Sequence, residues 1–278
     1  MKRMTSMAVL VLVLGMGIVG YAVLRTPEEA SETQIEAVPL QIAATAAPEQ
    51  AEEVVGPEAT AVEPQPEPTE AAEPAAATDP TAEPEPTAAT DEEPAPTSGL
   101  IIYEIDSSAS QVRFELDEDL RGVRTTVVGT TDQIAAQLAV NYGDLATVQV
   151  GEIRINARTL ATDNNFRNRA INNQILVTGA YEFITFVPTA VNGLPASVNI
   201  GDTVTFTIVG DLTITDVTHE ATFEVTATAV SATQISGTAS TTVTRGDYNL
   251  IIPSVPNVAN VEDEVDLHID FVANAIEG

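Results

Sequence analysis

The chain of 278 residues contains no cysteine, two histidines and a single lysine. Without cysteine there can be no disulfide bond, no thiolate metal site and no lipid-modified N-terminal cysteine, so an exported domain must be stabilised by its own core. Two histidines alone offer little for zinc ligation or general-base catalysis. The sequence also lacks a phosphate-binding glycine loop and a nucleophile paired with a base. We therefore expect no enzyme activity, no catalytic residue, no metal site and no cofactor.

Positive charge is scarce as well: 11 basic residues stand against 41 acidic ones, for a net charge of −30. This balance argues against nucleic acid and anionic membrane surfaces as partners. The acidic runs at residues 117–119 and 262–264 could bind Ca²⁺ weakly, but they lack the ligand spacing of a dedicated calcium loop. We expect both runs to be solvated loops, and we expect His219 and His268 to be solvated too.

Charge is missing altogether from residues 7–24. At about 1.5 Å per residue, this run of 18 residues is near the lower limit for crossing a bilayer. Lys2 and Arg3 precede it and would hold the N-terminus in the cytoplasm. We predict that residues 1–25 form an uncleaved signal anchor, with the rest of the chain extracellular or periplasmic. The alternative is a signal peptide that is cleaved after residues 20–22, which would secrete the protein.

Residues 26–99 have no lysine, arginine or aromatic residue, but they hold 13 of the 17 prolines and 18 acidic residues. Such a segment buries too little apolar surface to offset the entropy of ordering it. We predict a disordered, extended linker that acts as a tether, with a protein-binding tail as the alternative.

Residues 100–278 form the remaining domain, in which 23 acidic residues against eight arginines give a net charge near −15. Apolar and polar residues alternate along several stretches, as in residues 221–229, where alanine, phenylalanine and valine alternate with threonine and glutamate. This period indicates antiparallel strands with one apolar and one wetted face. A closed eight-stranded barrel would remove exposed strand edges and could hold a ligand, whereas a packed sandwich fits the same alternation.

The part of the domain that is least like a strand is residues 159–180. The polar run that begins at Asp163 predicts a short helix followed by a loop, with Asp163 or Asn164 as the N-cap. A segment of this kind at the mouth of a barrel can act as a lid.

Two sequence stretches, GDLTITDVTHEATFEV at residues 210–225 and TLATDNNFRNRAI at residues 159–171, carry a family resemblance. Together with further pieces in the same order over residues 101–274, they resemble the YceI-like family of lipid-binding domains. The resemblance implies an all-β fold, an extended antiparallel eight-stranded lipocalin-like barrel with a short helical lid. It also implies non-catalytic binding of a polyisoprenoid or similar lipid in the periplasm or outside the cell.

The chain departs from the family pattern at two places. Where the family has Arg-Asp-x-His-Leu, residues 167–171 read Arg-Asn-Arg-Ala-Ile, and where it has Tyr-Pro, residues 181–182 read Tyr-Glu. Any role of the missing acid and histidine near a ligand headgroup therefore does not carry over.

The inward-facing apolar residues of the strands are the candidate lipid contacts, although each could equally be ordinary core. This predicted lining comprises Phe114, Phe206, Ile208, Phe223, Val225, Leu267 and Phe271. Arg167, Arg169 and Arg245 are candidates for headgroup contacts at the rim. The alternative for these arginines, and the favoured one in so acidic a domain, is pairing with neighbouring carboxylates.

A structural or adhesive surface domain with a solid core and no ligand is the alternative function, and a homodimer is possible with either. A continuous apolar tunnel distinguishes a lipid carrier from a packed module. The inward alanines of the strands, such as Ala221, Ala227 and Ala239, favour a cavity.

Overall fold

The computed structural model describes residues 25–41 and 99–276, and antiparallel strands dominate the second range. The strands are β1 (Ile101–Ile105), β2 (Gln111–Leu120), β3 (Val123–Thr131), β4 (Ile134–Ala135), β5 (Gln137–Val140), β6 (Gln149–Val150), β7 (Ile153–Asn156), β8 (Phe183–Asn192), β9 (Thr203–Ile214), β10 (Val217–Ser231), β11 (Gln234–Thr244), β12 (Val258–Ala259) and β13 (Glu264–Ala275). Short 3₁₀ turns lie at Ser107–Ala109, Leu145–Thr147 and Ala157–Thr159.

The thirteen strands form one curled antiparallel half-barrel, in agreement with a lipocalin-like fold. The strand order is β4-β7-β8-β9-β10-β11-β13-β1-β5-β6, and β2 joins β13 to β3 and to β12. β13 pairs with β2 along its first half and with β1 near its end. Only Ala136 separates β4 from β5, yet β4 pairs with β7 and β5 with β1. The stretch from β4 to β5 therefore bridges the two ends of the series of strands that runs from β7 to β1.

The predicted alternation is confirmed most clearly in β10. Five alternate residues from Ala221 to Ala229 are buried, and most of the polar residues between them are exposed. The number of strands differs from the predicted eight because five of the thirteen have four residues or fewer. A two-residue ladder such as β4 leaves no visible period in the sequence.

The predicted helix is present as α1 (Asn165–Ala170), and a π turn at Ile171–Ile175 continues it. Asn164 is the N-cap, and its side-chain oxygen accepts hydrogen bonds from Phe166 N at 2.9 Å and Arg167 N at 3.3 Å. These bonds satisfy N–H groups that have no partner within the helix. Residues 159–180, which include α1 and the π turn, are called the lid below.

The N-terminal predictions fall mostly outside the described residues. The signal anchor at residues 7–24 and residues 42–98 of the linker both lie there. Within the two described ranges, no helix combines the length and the apolar character needed to cross a membrane.

The first part of the predicted linker differs from the expectation, because residues 25–41, which we call the strap, lie along the barrel. Ile35 is 5% exposed. Three backbone N–H groups of the strap donate to barrel side chains: Ser31 to Glu182 (2.7 Å), Ile35 to Gln133 (3.1 Å) and Leu40 to Gln137 (2.9 Å). Composition predicted disorder here because it does not reveal how the strap is held. Ile35 is its one buried apolar residue among those described, and its other contacts are hydrogen bonds to residues far away in the sequence.

Candidate functional site

The interior of the barrel contains two apolar cavities of about 200 Å³ and about 130 Å³. The first lies at the lid end, and the second lies toward the β10–β11 turn. Five residues line both cavities, namely Ile153, Ile208, Val225, Ala239 and Ile269. The two cavities are therefore neighbours in the middle of the barrel, and a packed sandwich core would have no such space.

The structure places all seven residues of the predicted lining on the walls of these cavities. Phe114, Phe223 and Leu267 line the first, Phe206 and Phe271 line the second, and Ile208 and Val225 line both. Their contact with a ligand stays a prediction.

Glycines opposite two of these phenylalanines were not singled out from the sequence. Gly129 pairs across the ladder with Phe114, and Gly237 pairs with Phe271. A Cβ atom at either glycine would collide with the facing ring. The absence of a side chain thus lets each ring lie over the neighbouring strand and leaves the cavity open.

The lid lies against the first cavity, and its action as a cover stays a prediction. Leu160, Ile171, Ile175 and Leu176 all line it. Asn168, which stands where the family pattern has an acid, accepts hydrogen bonds from Thr162 N at 2.8 Å and Thr162 Oγ1 at 2.7 Å. This residue therefore has a structural role, since it closes the loop that leads into α1.

Arg167 lies on the wall of the first cavity, where it pairs with acidic residues. Its guanidinium is 2.9 Å from Glu118 Oε1 and 2.5 Å from Asp163 Oδ1. Glu118 is buried, at 6% exposure, and lines the same cavity. Sequence reasoning missed Glu118 because it was classed with an acidic surface run. The Arg167–Glu118 pair is a polar site in a wall that is mostly apolar.

The other two candidate arginines differ from each other. Arg245 lines the first cavity, and it donates to the carbonyl oxygens of Glu262 at 3.0 Å and Leu250 at 3.2 Å. It thereby holds the connection between β11 and β13 over the cavity. Arg169 does not line either cavity and lies 6.0 Å from the centre of the Phe166 ring. The geometry thus favours structural pairing over free headgroup donors for Arg167 and Arg245.

A pair of buried tyrosines lies at the far end of the second cavity. The hydroxyl groups of Tyr103 and Tyr142 are 2.8 Å apart, and Tyr103 also donates to the carbonyl oxygen of Ala232 at 2.8 Å. Burial, and then the hydrogen bond to Tyr142, raises the pKa of Tyr103. Burial also raises the pKa of Tyr142. Both phenols are therefore neutral hydrogen-bonding groups at neutral pH.

The two acidic runs lie next to each other in the structure, whereas His219 contacts another part of the chain. His219 is exposed, and its Nε2 lies 3.0 Å from the carbonyl oxygen of Asp247. Arg124 gathers both acidic runs, since it pairs with Asp117, Asp119 and Glu262. Among the described residues, no group of three or more histidine, cysteine or carboxylate side chains is arranged to hold a metal ion.

Comparison with known proteins gives a consistent fold. The family described as YceI-like domain matches residues 103–273. No curated protein matches the chain significantly. A polyisoprenoid binding domain from Saccharophagus degradans, implicated in plant cell wall breakdown, is 15% identical with a TM-score of 0.50, over 63% of this chain and 99% of that chain.

Two further solved structures are similar at lower TM-scores. BcnA from Burkholderia cenocepacia is 20% identical with a TM-score of 0.48, over 61% of this chain and 99% of that chain. A YCEI protein from Campylobacter jejuni is 16% identical with a TM-score of 0.44, over 54% of this chain and 85% of that chain.

Proposed function

Because the chain belongs to the YceI-like family, we propose that its barrel domain binds a polyisoprenoid or a similar long-chain amphiphilic lipid. Binding is non-catalytic, and the protein acts as a carrier or a store. The observation that carries this proposal is the pair of neighbouring apolar cavities inside the barrel. The polyisoprenoid-binding name of the Saccharophagus degradans domain supports the same ligand class.

Burial of hydrocarbon supplies the free energy that such binding needs. Each CH₂ group removed from water contributes about 0.8 kcal/mol. A few isoprene units therefore provide enough to offset the cost of ordering the chain. The neutral Tyr103–Tyr142 pair and the Arg167–Glu118 pair place polar groups near the two ends of the apolar space, where a headgroup or a terminal polar group would fit.

We propose that the protein works on the outer side of the cytoplasmic membrane. The uncharged run at residues 7–24 follows Lys2 and Arg3, the pattern of an anchor with the C-terminal domain exported. Cleavage of this segment, with release of the domain, would show as a new N-terminus near Val23. Mass analysis of the mature N-terminus decides between the two.

Native mass spectrometry of residues 25–278 tests the lipid proposal. We expect a bound mass that denaturation releases as a hydrocarbon-rich lipid. Ala227 lines the second cavity at 9% exposure, so Ala227→Phe should fill the cavity and remove the bound mass while thermal stability holds or rises. In a solid core the same change would cost about 1–3 kcal/mol. If the parent protein carries no lipid and Ala227→Phe is destabilised, the structural or adhesive domain becomes the better description of the function.

A further inference from the structure

The strap begins beside the lid. The carbonyl oxygen of Arg25 accepts a hydrogen bond from Asn173 Nδ2 at 2.8 Å. Asn173 belongs to the π turn, and its neighbours Ile171 and Ile175 line the first cavity. The chain that precedes Arg25 therefore leaves the described structure at the lid end of the barrel.

A largely buried arginine, Arg158, holds this part of the strap in place. Arg158 Nη1 donates to the carbonyl oxygen of Glu29 at 3.0 Å and lies 3.0 Å from Glu182 Oε2. The side chain of Arg158 is only 13% exposed. Glu182 also accepts from Ser31 N, so one carboxylate connects the strap to the barrel through two partners. These contacts fix which end of the barrel lies next to the preceding segment.

The lid end also carries the three most exposed large apolar side chains among the described residues. Ile251, Phe166 and Val123 are 76%, 69% and 65% exposed, whereas the next, Val187, is 45% exposed. Isolated exposed apolar residues are ordinary on protein surfaces, whereas exposed apolar residues gathered at one end of a molecule can form an interaction surface.

Backbone and side-chain contacts place these three residues at the same end. Arg167, next to Phe166, pairs with Glu118 near the end of β2. Val123 begins β3 after the β2–β3 turn, and Arg121 N in that turn donates to Asn257 O at 2.7 Å. Asn257 lies in the same connection as Ile251. We call Val123, Phe166 and Ile251 the lid-end surface.

We propose that the lid-end surface rests on the lipid bilayer in which residues 7–24 are anchored. The proposal rests on the anchoring and the lipid binding proposed above. The uncharged run at residues 7–24 ends directly before Arg25, whose carbonyl oxygen is hydrogen-bonded to the lid, so an anchor formed by this run would hold the lid end close to the membrane. Aromatic and aliphatic side chains insert into the interface region of a bilayer. A lipid could then pass between this membrane and the first cavity without crossing water.

The charge of the domain argues against membrane binding by electrostatic attraction to anionic lipids. The domain is strongly acidic, but Arg169 lies over the Phe166 ring and Arg121 is exposed in the β2–β3 turn. An arginine beside an aromatic ring suits the boundary between headgroups and acyl chains. We therefore expect the lid-end surface to bind neutral phosphatidylcholine bilayers through its apolar residues.

The absence of cysteine permits a direct test on the full chain. Asn165→Cys places a unique thiol on α1 at the lid end, and Thr233→Cys places one in the β10–β11 turn at the opposite end. Each variant is labelled with an environment-sensitive fluorophore and reconstituted into phosphatidylcholine vesicles that contain nitroxide-labelled lipid. We expect a blue shift and strong quenching at position 165 and neither at position 233. Equal quenching at both positions, or quenching only at 233, would overturn the proposal.

Two further variants test which contacts turn the lid end toward the membrane. In the Asn165→Cys chain, Phe166→Ser should reduce the quenching, whereas Val230→Ser, at an exposed residue of β10, should not. Ile35→Asp should release the strap and remove the difference between the two labels while the chain stays in the vesicles. If the difference in quenching between positions 165 and 233 is unchanged by both Phe166→Ser and Ile35→Asp, the lid-end surface does not rest on the bilayer.

The same vesicle samples separate this proposal from the lipid-binding function. Mass spectrometry of the isolated protein reports the bound lipid independently of the quenching. Selective quenching without bound lipid would support the membrane surface and contradict the carrier function. Bound lipid without selective quenching would support the carrier and contradict the surface.

Discussion

At the scale of single residues, the space inside the barrel depends on side chains that are absent as much as on those present. Phe114 lies over Gly129 and Phe271 lies over Gly237, so each ring uses the space left by a glycine on the paired strand. The three atoms nearest to a Cβ atom built at Gly129 all belong to the Phe114 ring, whereas at Gly237 two of the three belong to the backbone of β10.

Gly129→Ala is therefore expected to push the Phe114 ring into the first cavity. The ring can rotate into free space, so the free energy of unfolding should fall by less than the about 1–3 kcal/mol of ordinary overpacking. The amount of copurified lipid should fall as well. Gly143→Ala is the matched control, because an added Cβ there meets only Asn141 Oδ1 at 3.5 Å. Equal lipid content in the two variants would show that the ring does not limit the cavity.

Arg167 offers a second test at this scale. Arg167→Leu should lower the free energy of unfolding by about 3 kcal/mol in urea denaturation, because it leaves the Glu118 carboxylate unpaired in an apolar wall. The double variant Glu118→Leu/Arg167→Leu should recover most of that loss. If Arg167→Leu keeps its stability but loses the bound lipid, Arg167 instead contacts the ligand headgroup.

At the scale of elements, the strap is connected to the barrel through Glu182, which stands where the family pattern has proline. Its carboxylate accepts from Ser31 N and from Asn156 Nδ2 at 3.0 Å. Burial alone would raise the pKa of Glu182, but the hydrogen bonds from Ser31 and Asn156 and the charge of Arg158 lower it below its ordinary value of 4.5. The deprotonated carboxylate is therefore the form that stabilises the docked strap.

The docked strap should accordingly be stable above the ordinary glutamate pKa and should loosen as the pH falls below 4.5 toward the lowered pKa of Glu182. The NMR signal of the Ser31 amide, followed through acid titration, reports this change. Glu182→Gln keeps an oxygen acceptor for Ser31 but cannot titrate, so its Ser31 signal should lose the transition. A transition that persists in Glu182→Gln would assign the effect to another group.

At the scale of the whole molecule, the strap changes where the acidic proline-rich segment is attached to the folded domain. The sequence predicts a tether that ends at a domain beginning near Leu100. Because residues 25–41 bind the barrel, the segment that follows them starts and ends on the same domain. The folded unit therefore includes residues far upstream of the predicted boundary.

Cleavage within the acidic segment tests this arrangement. With a specific protease site inserted after Glu70, the N-terminal fragment should stay with the barrel in size-exclusion chromatography of the cut protein from residue 25 onward. Ile35→Asp should release it, because the substitution places a carboxylate at a position that is 5% exposed. Separation of the fragments in the parent protein would contradict a stable strap.

The local pattern of the sequence predicted the antiparallel strands, the inward set from Phe114 to Phe271, and a helix cap at Asp163 or Asn164, of which Asn164 is the one observed. These features follow from neighbouring residues, because strand alternation and helix capping act over a few positions. The family motifs predicted the fold class for the same reason, since each motif is a short local piece of it.

The tertiary structure alone decided the strap, the two neighbouring cavities and the contacts of the arginines. Ile35 and Gln133 are 98 positions apart, and Arg167 and Glu118 are 49 apart. No period or composition within one segment encodes such pairs, because they form only when the strands have curled and brought distant side chains together. The cavity is likewise a difference between the volume that the backbone encloses and the volume that its side chains fill, and that difference exists only in the folded chain.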